Sequence, residues 1–380
     1  MNQKAVLQVI EINNSDKPGV ERFIDVPWRI YNKKEHPEWV PPLRMSVQAN
    51  LDTVKNPFYS RAQIQLFLAL RGGEAVGRIA AIDNQAHNEF HNEKIGFYGF
   101  FECMNDQEVA DALFLVAEKW LKARGLERMR GPMNPSTNHE CGLLVRGQRQ
   151  HPTIMTTWNP KYYVELHEKS GLKGVKDTVA YLVPTGKIDA LPPKVVAYAE
   201  RVKRESSITF RDFDLKNFDR EIDSCYDIYN SAWEKNWGFF PMTRQEFVHM
   251  GHDLKMVLDP EFAFVAEKHG KPAGFMLALP DYNYIFKRIP NGKLFPTGFL
   301  KLLLGKKLLK TVRILTLGVK PEFRGSGIFA LFTYESFLRA KKRGVLAGEA
   351  SWILEDNEAM NKPWRDLGCP LYRRWRIFER

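Results

Sequence analysis

Leu315-Thr316-Leu317-Gly318-Val319-Lys320-Pro321-Glu322-Phe323-Arg324-Gly325-Ser326-Gly327-Ile328-Phe329-Ala330-Leu331-Phe332 reads as an apolar strand, a proline, a glycine loop and the start of a helix. Glycines let successive backbone N–H groups converge without a Cβ in the way, and a helix N-terminus adds favourable potential for an anion. A phosphate or pyrophosphate is the natural occupant. Arg324 would add a charge-assisted contact and Ser326 a hydroxyl donor. The loop lacks the lysine of a P-loop and the spacing of the dinucleotide motif. A tight strand-to-helix turn without a ligand is the plainer alternative.

Working outward, EFAFVAEK (261–268) and AGFMLALP (273–280) form a hairpin around His269, Gly270, Lys271 and Pro272. The first half carries the same hairpin, QIQLFLAL (63–70) and AVGRIAAI (75–82) around Arg71, Gly72, Gly73 and Glu74. In both, a glycine stands four residues beyond the turn glycine, Gly77 after Gly73 and Gly274 after Gly270. A β-α-β run follows each time. It is KIGFYGFFEC, DQEVADALFLVAEKWLKARG and LERMRGPM in the first half, and RILTLGV, IFALFTYESFLRAKKRG and VLAGEASWIL in the second. Each half closes on an asparagine, a short helix and a glycine, Asn159 to Gly171 and Asn357 to Gly368. The pattern predicts a duplication into two mixed α/β domains, residues 1–187 and 188–380. They are joined within PTGKIDALPPK, where Pro184, Gly186, Pro192 and Pro193 break regular structure.

The loop and its surroundings resemble the GNAT superfamily of acyl-CoA N-acyltransferases. The family pattern is a strand, Val-x-Pro-x-x-Arg-Gly-x-Gly-x-(Gly or Ala), and a helix; Val319, Pro321, Arg324, Gly325 and Gly327 match it. The hairpin before the loop and Asn357, Leu367 and Gly368 after it stand in the family's order, so the resemblance spans most of residues 220–380. It implies two tandem GNAT-like domains with a mixed sheet, the first a degenerate copy because GFFECMNDQEVADAL has no glycine loop. It also implies an acyl-CoA ligand, acetyl-CoA or another acyl-CoA, with the backbone at Leu317 and Val319 bonding the pantetheine arm. The amides of Arg324, Gly325, Ser326, Gly327 and Ile328 would hold the pyrophosphate, and Asn357 would sit beside the pantetheine. Two positions depart from the family. Phe329 stands where glycine or alanine is preferred, and Trp364 where many members carry a tyrosine that protonates the leaving thiolate, which an indole does not do.

Direct acyl transfer to an amine needs a base, an oxyanion donor and an acid. Glu349, on the strand after the helix, is the first candidate for the base, with an ion-paired structural carboxylate as its alternative. Glu355 and Asp356 are a second pair, although acids ahead of a helix commonly cap it. Tyr372 is the candidate to replace the missing acid. Trp28, Tyr31, Trp233 and Trp237 could line an acceptor cleft but are expected mainly in the core, and GPMNPSTNHECG (131–142) is a loop where a ligand site could lie. The expected function is N-acylation, of acetyl in the first instance, to an unidentified amine. The alternative is a non-catalytic GNAT-like binding or scaffold protein.

Composition bounds these readings. The 380 residues exceed one core, and 44% hydrophobic with 27% charged residues describes a folded chain. A net charge of +11 favours phosphate-bearing partners, and no motif for specific nucleic-acid binding accompanies it. Cys103, Cys141, Cys225 and Cys369 lie far apart and no histidine pair has ligand spacing, so no metal and no disulfide framework is expected. The start, MNQKAVLQVIEINNSDKPGV, reads as neither signal peptide nor anchor, which predicts a cytoplasmic protein. Asp281 to Lys310 has no first-half counterpart and is an insertion with a basic amphipathic pattern. A lid or cover at the mouth of the second domain's cleft is expected of it, ahead of peripheral membrane contact.

Overall fold

The computed structural model describes residues 5–185 and 191–380; the predicted boundary at 187/188 lies outside the described residues. The chain divides into two compact units. The first comprises residues up to Thr178 together with Ile285–Leu304 and Arg373–Arg380, and the second Val179–Tyr284 and Gly305–Tyr372.

The first unit contains β1 (Leu7–Ile12), α1 (Lys17–Ile30), α2 (Arg44–Leu51), β2 (Ala62–Arg71), β3 (Glu74–Asn84), α3 (Gln85–His91), β4 (Ile95–Cys103), α4 (Gln107–Lys122) and β5 (Arg128–Gly131). Short strands β6 (Met133–Asn134), β7 (Glu140–Cys141) and β8 (Leu143–Arg146), then α5 (Tyr162–Lys169), lead into β9 (Lys173–Pro184). Its sheet runs β1-β2-β3-β4-β5, antiparallel except for the parallel β4–β5 pair. Residues 374–379 of the last strand of the chain complete it against β5 and β8. Val109, Ala110, Leu113, Phe114, Ala117 and Leu121 recur at helical spacing, and α4 buries them all on the sheet. A fully buried side chain of this size contributes about 1.5–3 kcal/mol.

The second unit contains α6 (Pro193–Glu205), β10 (Ile208–Asp212), α7 (Phe218–Ala232), α8 (Arg244–Leu254), β11 (Ala263–Lys268), β12 (Lys271–Pro280) and α9 (Asn283–Phe286). After α10 (Thr297–Gly305), whose residues up to Leu304 belong to the first unit, come β13 (Thr311–Val319), α11 (Ile328–Arg343), β14 (Ala347–Leu354), α12 (Glu358–Asp366) and the start of β15 (Leu371–Glu379), which passes into the first unit at Arg373. The order β10-β11-β12-β13-β14 repeats that of the first unit, again with one parallel pair, β13–β14. Ile328, Leu331 and Phe332 of α11 pack with Phe264, Ala266 and Met276 of the sheet.

The duplication extends to backbone detail. Both hairpins turn on two residues of positive φ, Gly72 (60°) with Gly73 (84°) and His269 (53°) with Gly270 (73°), the conformation that suits two-residue hairpins. Both ladders slip at the same place, between Ala69 and Leu70 and between Ala266 and Glu267. The glycines beyond the turns share a purpose: a Cβ at Gly77 would strike Leu113 of α4 at 2.9 Å, and one at Gly274 would press Ile328 of α11 at 3.2 Å.

The middle of the insertion, Ile285–Leu304, belongs to the first unit although it interrupts the sequence of the second. The Trp28 indole donates to the Pro290 carbonyl at 2.8 Å, and the Arg44 backbone and side chain donate to Gly292 and Asn291 carbonyls at 2.9 Å. The Arg44 guanidinium also stacks 4.3 Å over the Trp28 ring. Trp28, a sequence candidate for an acceptor cleft, is thereby an anchor for the insertion.

Candidate functional site

The predicted phosphate loop connects β13 to α11. Gly325 (φ 79°) and Gly327 (φ 93°) both have the left-handed backbone that glycine tolerates best. A Cβ at Gly325 would face open space, whereas one at Gly327 would meet Val202 of α6 at 2.4 Å. Gly327 is the N-cap of α11, and no side chain caps the helix, which leaves its first amides to other partners. The Ser326 hydroxyl is buried with no hydrogen-bond partner. Arg324 donates to the Ala232 carbonyl at 2.9 Å while its residue remains exposed. An uncapped helix start, an orphaned hydroxyl and an open glycine together suit an anion such as pyrophosphate. Phe329, one residue into α11, is half-buried.

The β13–β14 ladder runs from Thr311 opposite Ala347 to Ile314 opposite Ala350 and ends there. On its other side β13 slips against β12, where Leu277 pairs with Thr316 and Ala278 with Ile314, so Leu315 is an extra residue. Such a bulge re-aims the strand. As a result Val312, Ile314 and Leu317 all line one cavity of about 40 Å³ between the sheet and α11, together with Met276, Gly348, Phe337 and Trp364. The wall is apolar because Thr185, Thr333 and Ser336, which also line it, donate their hydroxyls to the Val345, Phe329 and Phe332 carbonyls. Leu317 and Val319 lie beyond the last β13–β14 pair, on the stretch where the strands part.

Glu349 alternates with the cavity-lining Gly348 on β14 and is 2% exposed. The Tyr372 hydroxyl donates to Glu349 Oε2, and Ser351 Oγ donates to Glu349 Oε1 at 2.5 Å. The two catalytic candidates named from sequence are thus in direct contact. Arg313 stands opposite Glu349 in the β13–β14 register, and its Nε donates to Ser351 Oγ at 2.9 Å. The result is a buried chain of Arg313, Ser351, Glu349 and Tyr372 that can hold a carboxylate and pass protons along it. Sequence reading missed Arg313 and Ser351. The signal was there, since an arginine inside the apolar run TVRILTLGV needs a buried partner.

Asn357 caps α12, its side chain accepting from the Met360 amide at 3.3 Å, and Asn361 donates to the carbonyls of Leu354, Glu355 and Asn357. Trp364 is a core residue, 2% exposed, and its indole nitrogen has no hydrogen-bond partner. Trp233 packs on Gly318, where a Cβ would lie 2.3 Å from its ring, and 5.9 Å from Phe275.

The same places in the first unit are filled by its own side chains. Asp106 caps α4, accepting from the Glu108 amide at 3.1 Å and pairing with Arg71. Beyond the short β4–β5 ladder, the Phe100 amide donates to Asn134 Oδ1 at 2.6 Å, and Gly99 lies so near the Met133 carbonyl that no Cβ fits. The Cys103 amide donates to the Tyr163 hydroxyl at 2.8 Å, and the Tyr162 hydroxyl donates to the Cys103 carbonyl at 2.9 Å. Tyr31 and Tyr163 both donate to Glu102, beside Arg78 at 3.7 Å. Burial pushes the Glu102 carboxyl above its ordinary range and the Arg78 guanidinium below its own. The loop 131–142, a possible ligand site on sequence, supplies part of this plug.

Among the described residues no group of three or more His, Cys, Asp and Glu could hold a metal ion, and no helix is long and apolar enough to cross a membrane. No family profile matches the chain. It is 35% identical over 371 residues to the bacterial ceramide synthase of Caulobacter vibrioides, covering 95% of this chain and 94% of that protein. It is 32% identical over 371 residues to Protein YghO of Escherichia coli, covering 96% and 93%. Among solved structures, a tandem GNAT protein from the clavulanic acid biosynthesis pathway shares the fold at a TM-score of 0.58 and 11% identity, over 99% of this chain and 98% of that one. A GCN5-related N-acetyltransferase from Sphaerobacter thermophilus does so at 0.52 and 15%, over 98% and 95%.

Proposed function

The chain belongs to the GNAT superfamily, in one family with the Caulobacter ceramide synthase and YghO, and from that premise we propose that it is an acyl-CoA-dependent N-acyltransferase. The observation that carries the reading is the buried Glu349 carboxylate, held by Tyr372 and Ser351 on the strand that parts from β13. The reaction joins an amine to a thioester carbonyl, breaking the carbon–sulfur bond and releasing amide and thiol. Glu349 takes the proton of the attacking amine, and Tyr372, bonded to it, carries a proton toward the departing sulfur. Arg313, through Ser351, keeps the Glu349 carboxylate oriented. The amides of Gly325 to Ile328, with Ser326 and Arg324, hold the pyrophosphate of the donor, and β13 at Leu317 and Val319, beyond its last pair with β14, aligns its arm.

A ceramide is the amide of a fatty acid with a long-chain amino alcohol, so likeness to a ceramide synthase over nearly the whole chain supports a fatty acyl donor and a long-chain amine acceptor. The cavity lined by Leu317, Met276 and Gly348 supports the same choice, since its wall is apolar. The test is thiol release with acyl-CoA donors of two to sixteen carbons and a long-chain amino alcohol, the amide being identified by mass spectrometry. Turnover should favour the long donors. A Gly348→Val variant should shift the preference toward shorter chains, because even a Cβ there reaches only ordinary contact with Val183 and Val312 at 3.7 Å and the added methyls occupy the cavity. A second reading, binding of acyl-CoA without turnover, is favoured by Trp364, a core indole where the resemblance to the GNAT superfamily implies a tyrosine acid. Tight coenzyme A binding with no thiol release from any donor would select it.

A further inference from the structure

Helix α10 buries only a narrow face. Gly298 is buried with Ile289 and the Lys293 carbonyl beside it, Gly305 is buried and Leu302 half-buried, while Lys301, itself exposed, donates through Nζ to the Arg288 carbonyl at 2.7 Å. Phe299, Leu300, Leu303 and Leu304, spaced to share one face, point outward. With Phe295 before them and Leu308 after, they are between 40% and 77% exposed, and the rings of Phe295 and Phe299 stack at 5.6 Å. A nonpolar face of this kind on a surface helix marks a docking site.

Charge identifies what docks. From Ile285 to Lys310 the chain has seven basic side chains (Lys287, Arg288, Lys293, Lys301, Lys306, Lys307 and Lys310) and no acidic one. Lys293, Lys306 and Lys307 are exposed and flank the apolar face at both ends. We propose that the segment 293–308 is an interfacial anchor that lays its leucines and phenylalanines into the surface of an anionic lipid bilayer, with the lysines at headgroup level. Such a helix lies in the membrane plane, and nine residues of α10 suffice for that although they are too few to span a bilayer. The residues just before it, Pro290, Asn291 and Gly292, are tied to the first unit through the bonds of Trp28 and Arg44. Of the two roles the sequence left open, cover and membrane contact, the outward face favours the second. The proposal does not rest on acyl transfer, because vesicle binding is read without turnover.

The test is flotation of the full chain with phosphatidylcholine vesicles and with vesicles containing one part in three phosphatidylglycerol, at low and at high salt. The wild type should float with the anionic vesicles and far less with the neutral ones. Leu303→Glu with Leu304→Glu, both already exposed and so harmless to folding, should cut binding at least about tenfold while coenzyme A affinity stays unchanged. Lys306→Glu with Lys307→Glu should weaken it by about twentyfold or more, at roughly fivefold per lysine. A wild type that stays at the bottom with anionic vesicles, or a leucine variant that floats as well as the wild type, overturns the proposal. Equal binding to neutral vesicles overturns its electrostatic half. Light scattering decides the other occupant: a wild-type dimer that the leucine variant splits, without vesicle binding, assigns the face to a second copy of the chain instead.

Discussion

The two units start from one backbone plan and treat the gap between their parallel strands in opposite ways. Because Gly77 matches Gly274 in the hairpins, Cys103 matches Val319 and Glu102 matches Gly318 across the register. In the first unit Tyr31, Glu102 and Arg78 form a buried polar knot; in the second the equivalent positions are Trp233, Gly318 and Phe275, packed ring on glycine. The first unit's helix start is capped by its own Asp106 carboxylate, and the second's is left without a side-chain cap. The first unit's Cys103 amide and carbonyl are each taken by a tyrosine of α5. On the reading proposed above, the first unit supplies from its own side chains the groups such a ligand would bring to the second: a carboxylate for a phosphate, and hydroxyls for the polar arm. Fold survives because each substitution satisfies the same backbone groups that would otherwise be left bare.

The sharpest way to break this contrast is at the two buried glutamates. Glu349→Gln is expected to slow thiol release by about 10²- to 10⁴-fold, whereas Glu102→Gln should leave turnover of the folded protein within a few-fold. Equal losses would put chemistry in the wrong unit. Next in size is acid stability. His167 and Trp364 both stand four residues before the glycine that ends their helix, so the first unit buries an imidazole where the second buries an indole. Packed among Phe101, Phe114 and Phe378, the His167 ring is desolvated and its pKa falls to about 4. Its folded pKa lies below the ordinary value of about 6.5, so the unfolded chain binds the extra proton between those limits. Stability is then full above about pH 6.5 and declines as the pH falls toward 4, by about 3 kcal/mol in all from this group. Circular dichroism melts at stepped pH should show the first unit failing earlier, and His167→Phe should flatten that slope.

Coenzyme A titration by calorimetry probes the loops. Gly327→Glu should weaken binding about ten- to a hundredfold, through lost amide contacts and a backbone angle of 93° that a side chain resists. The smallest effect belongs to its counterpart. Asp106→Ala should cost about 1 kcal/mol of stability through the lost cap and leave coenzyme A affinity untouched. A comparable loss of affinity at Asp106 would mean that both units bind the ligand.

What sequence made legible was local. Turn glycines, the strand-loop-helix order and the helix-ending glycines lie within a few residues of what they control, so the repeat, the loop and the mixed α/β units could be read directly. What it hid depends on register and long-range packing. Arg313 meets Ser351 only because two strands separated by α11 align as they do. Trp28 meets Pro290 across 262 residues, and nothing in either segment signals it. The plug in the first unit was equally hidden, since Tyr162 and Tyr163 read as ordinary helix residues until β4 is seen to need them. Glu349 was legible as a strand residue, but only the folded register shows Tyr372 as its partner.

The first unit's final strand, residues 373–380, is made long after the rest of its sheet. The unit's other strands have been synthesised by Thr178, and the ribosome then adds nearly two hundred residues, Ile285–Leu304 of the same unit among them, before the missing strand arrives. At about 5–20 residues per second this wait lasts roughly ten to forty seconds. During it β5 exposes an unpaired edge and Phe378 is absent from a core that includes Phe114 and His167. The nascent protein is therefore expected to need protection from chaperones over that interval, and a chain cut after Tyr372 should be a client that is never released.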